Sequence, residues 1–152
     1  MHQTASRILD TPGPDMLLQT MYFSDWLSQK VCKLLNIPKN RQEPIQVARY
    51  SPGQFYKAHY DSFDEETETG KMSIGTAGQR VATVLIYLNQ PSAGGGTNFP
   101  HAGIRVKPKK GTAVIFFPCT VDGKMDPYTL HSAEDAGDEK WVSQIWIRQR
   151  SV

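Results

Sequence analysis

The sequence predicts a single α+β domain in which β structure dominates. A chain of 152 residues can bury one sizeable core and is too short for two domains of ordinary size. One amphipathic segment precedes a series of short runs rich in β-branched and aromatic residues, and turn-forming residues separate these runs. A front helix followed by several short strands is typical of a β-sandwich or barrel with supporting helices.

The N-terminal segment, about residues 1–36, is expected to be helical and to pack against the sheet. Its apolar residues follow the i, i+4, i+7, i+8 spacing of one helix face, at Leu27, Val31, Leu34 and Leu35. Ser24 is a suitable N-cap, and Pro38 follows the expected end of the helix.

The β pattern begins after Pro38 and is expected to form a core over about residues 45–148. The runs with strand composition are 45–50, 80–88, 104–108, 112–117 and 141–148. Between the first two runs, the polar stretch from Ser62 to Gln79 contains three glycines and has no apolar periodicity. We expect it to be a long loop and a candidate lid over a binding site.

Charge and hydropathy exclude two classes of partner. The chain has 17 basic and 15 acidic residues, and apart from Lys107 to Lys110 the basic residues are scattered, so no nucleic-acid partner is expected. No run of about 18 apolar residues is present, so no membrane span is expected. The start of the chain lacks a secretory signal, but this does not fix the compartment, which is the endoplasmic reticulum lumen if the chain is cut from a secretory-pathway protein and the cytoplasm otherwise. The oligomeric state is not indicated.

Three residues are candidates for a metal site. His59 and Asp61 follow a β-like run, so on a strand their side chains would project from one face. His131, which precedes the last β run, is the expected third ligand. Two histidines and one carboxylate on one face of a ferrous ion leave three positions open, enough for a bidentate 2-oxo acid and O2. Taken alone, an H-x-D triplet is a weak signal that is more often a surface or capping pair.

A 2-oxo acid with a second carboxylate also needs a cation at the far end of its pocket. Lys140 lies nine residues beyond His131 and supplies such a point charge. On its own, a lysine at the start of a strand is more often solvated, and pairing with Glu139 on the surface is the alternative.

The combination of blocks resembles the catalytic domain of prolyl 4-hydroxylases. The resemblance rests on ARYSPGQFYKAHYD (48–61), QRVATVLIYLNQPSAGGGTNFP (79–100), IRVKPKKGTAVIFF (104–117), and His131 with KWVSQIWIR (140–148), which occur in the family's order. It implies a double-stranded β-helix, or jelly roll, with N-terminal supporting helices. It also implies a 2-oxoglutarate-dependent dioxygenase that converts peptidyl proline to 4-hydroxyproline and releases succinate and CO2.

The resemblance assigns roles residue by residue. The iron ligands and catalytic centre would be His59, Asp61 and His131; the 2-oxoglutarate pocket would contain Lys140, Tyr50 and Thr97; the substrate peptide would face Tyr56, Arg80 and Trp146. The cofactors would be Fe(II), 2-oxoglutarate and O2, with ascorbate as auxiliary reductant, and the partner a proline-containing peptide or protein. Without the resemblance, Tyr50 and Thr97 could equally be structural, and Trp146 would be assigned to the core.

One departure and three alternatives accompany this interpretation. The family usually places its lysine ten residues after the distal histidine, whereas this chain has nine. A nucleic-acid demethylase of the same superfamily would use an arginine, for which Arg148 is the candidate. A zinc hydrolase is disfavoured because no H-E-x-x-H motif is present. A catalytically silent peptide-binding module on the same fold would have no physical need for the three ligands.

Overall fold

A computed structural model describes the backbone of residues 14–152 and the side chains of residues 23–152. The first helix, α1, spans Pro14–Leu35. The predicted start after Ser24 is wrong, because Pro14 suits the first helical position and the residues after it are mostly good helix formers. Asn36, in the left-handed region with φ 52°, ends the helix. The remainder of the predicted segment 1–36 before Pro14 lies outside the described residues. Within the described part of the chain, no helix is long and apolar enough to cross a bilayer.

Within residues 14–152, eight strands form two four-stranded antiparallel sheets. In chain order they are β1 Gln46–Tyr50, β2 Tyr56–His59, β3 Arg80–Tyr87, β4 Thr97–Phe99, β5 Ile104–Val106, β6 Ala113–Phe116, β7 His131–Ala133 and β8 Lys140–Arg148. The first sheet has the order β1-β8-β3-β6 and the second β2-β7-β4-β5. This arrangement confirms the predicted jelly roll, and the five predicted β runs correspond to β1, β3, β5, β6 and β8.

The first sheet is covered on both faces. On one face Leu27 and Val31 of α1 pack against Val84, Ile145 and neighbouring apolar residues of β3 and β8. Leu34, expected on the same helix face, is 64% exposed. On the other face, between the sheets, Tyr50, Leu85, Tyr87 and Val142 form a second buried cluster. The alternation of side chains along β8 thus gives one face to the helix and the other to the space between the sheets.

The predicted loop from Ser62 to Gln79 contains a helix, α2, over Glu68–Ala77. Hydrogen bonds at both ends of α2 stabilise the helix, although its sequence has no apolar periodicity. The Thr67 hydroxyl accepts a hydrogen bond from the Gly70 N–H at 3.0 Å, and Gly78, with φ 77°, ends the helix by donating its N–H to the Ile74 carbonyl. Arg148 Nη2 also donates to the Ser73 carbonyl, in the last turns of the helix, at 2.5 Å. The role of this segment as a lid stays a prediction.

Replacing two glycines of α2 by alanine should change the free energy of unfolding in opposite directions. A Cβ at Gly70 would lie 1.8 Å from the Asp64 carbonyl oxygen, whereas one at Gly75 would meet nothing within 4 Å. We expect Gly70→Ala to lower the free energy of unfolding by about 2 kcal/mol. The matched Gly75→Ala should raise it by roughly 0.5–1 kcal/mol, because alanine is the better helix former. Chemical denaturation measures both, and midpoints that shift in the same direction would contradict this account of α2.

Candidate active site

The three predicted metal ligands lie together at one end of the second sheet. His59 of β2 and His131 of β7 are cross-strand partners with ring centroids 4.2 Å apart. Asp61 Oδ1 lies 3.6 Å from His59 Nε2, and Asp61 Oδ2 lies 3.9 Å from His131 Nε2. One ligand atom from each residue falls within 4.8 Å of the other two. Asp61 lies two residues after the end of β2. The expectation that His59 and Asp61 both lie on the strand is therefore wrong for Asp61.

Both histidines are held in the tautomer that a metal requires. His59 Nδ1 lies 2.9 Å from the Lys57 carbonyl oxygen, and His131 Nδ1 lies 2.9 Å from that of Thr129. A carbonyl only accepts, so each Nδ1 carries the proton and each Nε2 presents a lone pair towards Asp61. His131 is 2% exposed, and its Nε2 has no hydrogen-bond partner among the described residues. The buried lone pair and the adjacent carboxylate fit a divalent metal ion, and this donor set is typical of non-haem Fe(II).

The electrostatics keep the ligands in their binding forms. Burial by itself raises the pKa of Asp61, but a hydrogen bond from His59 and the charge of His131, each in its protonated form, together with the Thr83 hydroxyl outweigh it and lower the pKa to about 2. The Thr83 hydroxyl donates to Asp61 Oδ2 at 2.7 Å. Burial lowers the pKa of His131, although the charge of Asp61 opposes the shift. An ionised carboxylate and a neutral imidazole are the forms that bind a metal.

A cavity of about 530 Å³ extends from the triad between the two sheets. All nine residues predicted for the site line it: Tyr50, Tyr56, His59, Asp61, Arg80, Thr97, His131, Lys140 and Trp146. Its walls also include residues that the sequence analysis did not single out, among them Gln46, Tyr60, Leu85 and Gln144. Residues that are far apart in the sequence therefore line a single cavity.

Lys140 is a buried cation facing this cavity. It is 1% exposed, and its Nζ lies 4.9 Å from the centre of the Tyr50 ring and 5.9 Å from that of Tyr87. No ion pair of Lys140 is found in the described part of the chain, and Glu139 pairs with Arg49 instead. The surface alternative for Lys140 is therefore wrong. Because a buried ammonium without a carboxylate is unfavourable, this end of the cavity is suited to an anion.

Tyr50 and Thr97, which carry hydroxyl groups, line the same cavity as Lys140. Burial, with a smaller contribution from Tyr56, raises the pKa of Tyr50 to about 12, so its phenol stays protonated and can donate to a carboxylate. Thr97 Oγ1 lies 2.6 Å from the hydroxyl of Tyr87, a residue that the sequence analysis missed. The alternation along β3 would have placed Tyr87 on the inner face with Leu85.

Arg80 is fixed by contacts within the protein. Its Nε and Nη2 donate to the two carboxylate oxygens of Glu43 at 2.8 and 2.7 Å, and its Nη1 donates to the Asp61 carbonyl at 3.3 Å. The guanidinium lies 3.9 Å from the centre of a Trp146 ring. Arg80 therefore supports a metal ligand and an aromatic wall. Glu43, which makes this possible, was not identified from the sequence.

Glu43 also holds Arg148. Arg148 Nη1 donates to Glu43 at 3.2 Å, and its other donors reach the Gly78 and Ser73 carbonyls at the end of α2. Arg148 is buried by these contacts and does not line the cavity. The alternative in which Arg148 binds the cosubstrate has no support in the structure.

Two aromatic side chains, Tyr56 and Trp146, line the cavity together with the triad. Tyr56 packs edge-on against the His59 ring, with centroids 4.6 Å apart. Trp146 is 8% exposed, and its indole N–H has no acceptor in the described part of the chain. Two aromatic faces beside a metal site can pack against an apolar ring of a substrate.

Comparison with protein families matches residues 45–148 to the 2OG-Fe(II) oxygenase superfamily. The chain belongs to this family. Fe(II) and 2-oxoglutarate are the cofactors typical of the family, and the oxygenase provides the His59, Asp61 and His131 triad for the iron.

The relatives of the oxygenase are prolyl 4-hydroxylases. It is 38% identical over 124 residues to the putative prolyl 4-hydroxylase of Acanthamoeba polyphaga mimivirus, an alignment that covers 80% of this chain and 51% of that protein. It is 37% identical over 140 residues to prolyl 4-hydroxylase 1 of Arabidopsis thaliana, covering 83% and 48%. The chain thus spans about half the length of the curated relatives it matches.

A solved structure agrees in fold. The viral collagen prolyl hydroxylase of Paramecium Bursaria Chlorella virus-1, in complex with 2-oxoglutarate, superposes with a TM-score of 0.70 at 33% identity. The match covers 95% of this chain and 79% of that one. In sequence and in fold, the oxygenase is prolyl 4-hydroxylase-like.

Binding of 2-oxoglutarate should weaken at alkaline pH. Burial lowers the pKa of Lys140 to about 8, with Glu134 opposing the shift. A bound carboxylate favours the ammonium form, so the affinity should be constant well below pH 8 and fall as the pH rises through it. Calorimetric titration of the Mn(II)-loaded protein measures the Kd. Lys140→Arg is the matched control, because arginine stays charged in this range and should remove the fall. If the Kd of both proteins changed equally with pH, Lys140 would not be the residue that binds the distal carboxylate.

Glu43→Gln should destabilise the oxygenase, because it leaves two partly buried guanidinium groups without their carboxylate. We expect the free energy of unfolding to fall by roughly 3 kcal/mol. Glu139→Gln, which breaks the half-exposed pair with Arg49, is the matched control and should cost less than about 1 kcal/mol. Urea denaturation compares the two. A loss for Glu43→Gln no larger than that of the control would show that the network contributes little.

Proposed function

We propose that this chain hydroxylates peptidyl proline to 4-hydroxyproline, with Fe(II), 2-oxoglutarate and O2 as cofactors and succinate and CO2 as products. The observation that carries the proposal is the convergence, in one cavity, of a metal-ligand triad and a buried lysine that has no ion-pair partner among residues 23–152. A metal-chelating dicarboxylate needs both features. A catalytically silent binding module would need neither. We further propose that the chain acts as a single domain, with residues 45–148 as its catalytic core.

The residues divide the work between metal, cosubstrate and substrate. His59, Asp61 and His131 would hold the iron, which when bound supplies the O2 activation that is coupled to oxidation of the 2-oxo acid. Lys140 binds the distal carboxylate of 2-oxoglutarate, and the protonated Tyr50 and Thr97 donate hydrogen bonds beside it. The apolar cluster around Tyr87 and Val142 excludes water from this end, which strengthens the ion pair.

The aromatic residues that line the cavity support the proposed binding of a proline-containing peptide. Tyr56 and Trp146 present faces on which a proline ring can pack, and Arg80 holds Trp146 in place. The resemblance to prolyl 4-hydroxylases also implies that Arg80 contacts the peptide. The N–H groups of Arg80 that are not bonded to Glu43 or Asp61 can donate to a peptide carbonyl. The prolyl 4-hydroxylase relatives and the viral collagen prolyl hydroxylase favour a proline-rich peptide as substrate. Ascorbate is proposed as the auxiliary reductant.

Succinate release from 2-oxoglutarate tests the proposal. The Fe(II)-loaded protein is assayed with a Pro-Pro-Gly repeat peptide, a polyproline peptide and the same peptides with alanine for proline. We expect the proline peptides alone to stimulate turnover at least tenfold and to gain one oxygen atom at proline C4. His131→Ala should abolish turnover, because it removes a metal ligand.

The other outcomes are informative. Turnover that no peptide stimulates would retain the cofactor chemistry and contradict the prolyl assignment. A protein that binds neither iron nor 2-oxoglutarate would instead be the silent peptide-binding module.

A further inference from the structure

Two glutamine side chains in the cavity have no role in the chemistry described above. Along the inner face of β8, Lys140, Val142, Gln144 and Trp146 line the cavity in turn. Gln46 lies directly opposite Gln144 on β1 and lines the cavity as well. Both are half-buried, and neither side-chain amide has a hydrogen-bond partner among residues 23–152. Their hydrogen-bonding capacity is therefore directed into the cavity and left unused by the protein.

Their position separates them from the distal carboxylate site. Gln144 is four residues from Lys140 on a strand, which corresponds to about 13 Å along β8. The Lys140 ammonium lies against the Tyr50 and Tyr87 rings, 4.9 and 5.9 Å from their centres. A cavity of about 530 Å³ has the size of a site for a drug-sized ligand, which is larger than a five-carbon dicarboxylate. Space therefore remains beside the cosubstrate on the β1 and β8 wall.

The chemistry of the pair favours a peptide backbone. Directly opposed residues of antiparallel strands have Cβ atoms about 5 Å apart, so both amides can reach neighbouring groups of one extended chain. A primary amide offers two donors and an acceptor without charge, which complements peptide groups. A proline-rich chain lacks many N–H donors but keeps all its carbonyl acceptors, so the two NH2 groups match what such a chain presents.

We propose that Gln46 and Gln144 form a subsite that binds backbone carbonyl groups of the substrate peptide next to the reacting proline. This inference rests on the proposed function and names residues that determine how the peptide is held. Gln46 and Gln144 are positioning residues in this scheme, and the proton and oxygen chemistry stays with the triad side of the cavity. β1 is an edge strand of its sheet, so the subsite lies where an extended chain can approach.

Peptide binding to the holoenzyme tests the subsite. The protein is loaded with Fe(II) and 2-oxoglutarate under anaerobic conditions, so that no turnover occurs, and titrated into a fluorescein-labelled Pro-Pro-Gly repeat peptide. Gln46→Met and Gln144→Met keep the length of the side chain and remove the amide. We expect each to raise the peptide Kd roughly three- to tenfold, the effect of one lost hydrogen bond. The Kd for 2-oxoglutarate, measured by calorimetry, should stay within about twofold. Gln90→Met, an exposed glutamine outside the cavity, is the matched control and should change neither constant.

The results separate this inference from the proposed function. Unchanged peptide affinity in both variants, with normal proline hydroxylation by the wild type, would overturn the subsite and leave the function standing. A weaker affinity for 2-oxoglutarate at unchanged peptide affinity would assign the glutamines to the cosubstrate and also overturn it. Weaker peptide binding in a protein that does not hydroxylate the peptide would support the subsite and contradict the function. A wild type that binds no proline peptide would overturn both.

Discussion

The buried carboxylate of Asp61 is the group on which the rest of the site depends. Its oxygens face the Nε2 atoms of His59 and His131, one oxygen accepts the Thr83 hydroxyl, and its backbone carbonyl accepts from Arg80. A carboxylate at this depth is unfavourable unless donors or a cation satisfy its oxygens; the Thr83 hydroxyl supplies one donor. The contacts come from β2, β3 and β7, so the two sheets must hold these strands in register around a single side chain. The arrangement that positions Asp61 also aims two imidazole lone pairs at the same point, where a metal cation would satisfy all three groups.

The cavity places unsatisfied groups at both of its ends. Among the described side chains, the Nε2 atom of His131 at one end finds no hydrogen-bond partner, and the buried ammonium of Lys140 at the other end finds no ion-pair partner. Each arrangement lowers stability in the empty protein, and each is relieved by a ligand of the right chemistry, a metal ion in one case and an anion in the other. A ligand that chelates the metal and carries a distal carboxylate satisfies both ends at once, which explains why the two sites share a cavity.

The long strands and the triad could be predicted from the sequence, whereas features held together by distant contacts could not. β3 and β8 have continuous β-branched and aromatic composition, and H-x-D with a later histidine suggested the ligands. β4 and β7 have three residues each, too few for a period to show. α2 depends on caps and on Arg148, which is far away in the chain, and so has no local apolar signal. The fixing of Arg80 by Glu43 likewise joins residues 37 positions apart. Such pairings are set by the fold and leave no pattern in a single sequence.

A crystal structure of the protein with Mn(II) and 2-oxoglutarate, determined without O2, tests the central claim most directly. We expect an anomalous peak within about 2.2 Å of the Nε2 atoms of His59 and His131 and of an Asp61 carboxylate oxygen. We also expect that 2-oxoglutarate chelates this metal and that its distal carboxylate contacts Lys140 Nζ. A metal bound elsewhere, or a 2-oxoglutarate molecule whose distal carboxylate lies away from Lys140, would contradict the central claim.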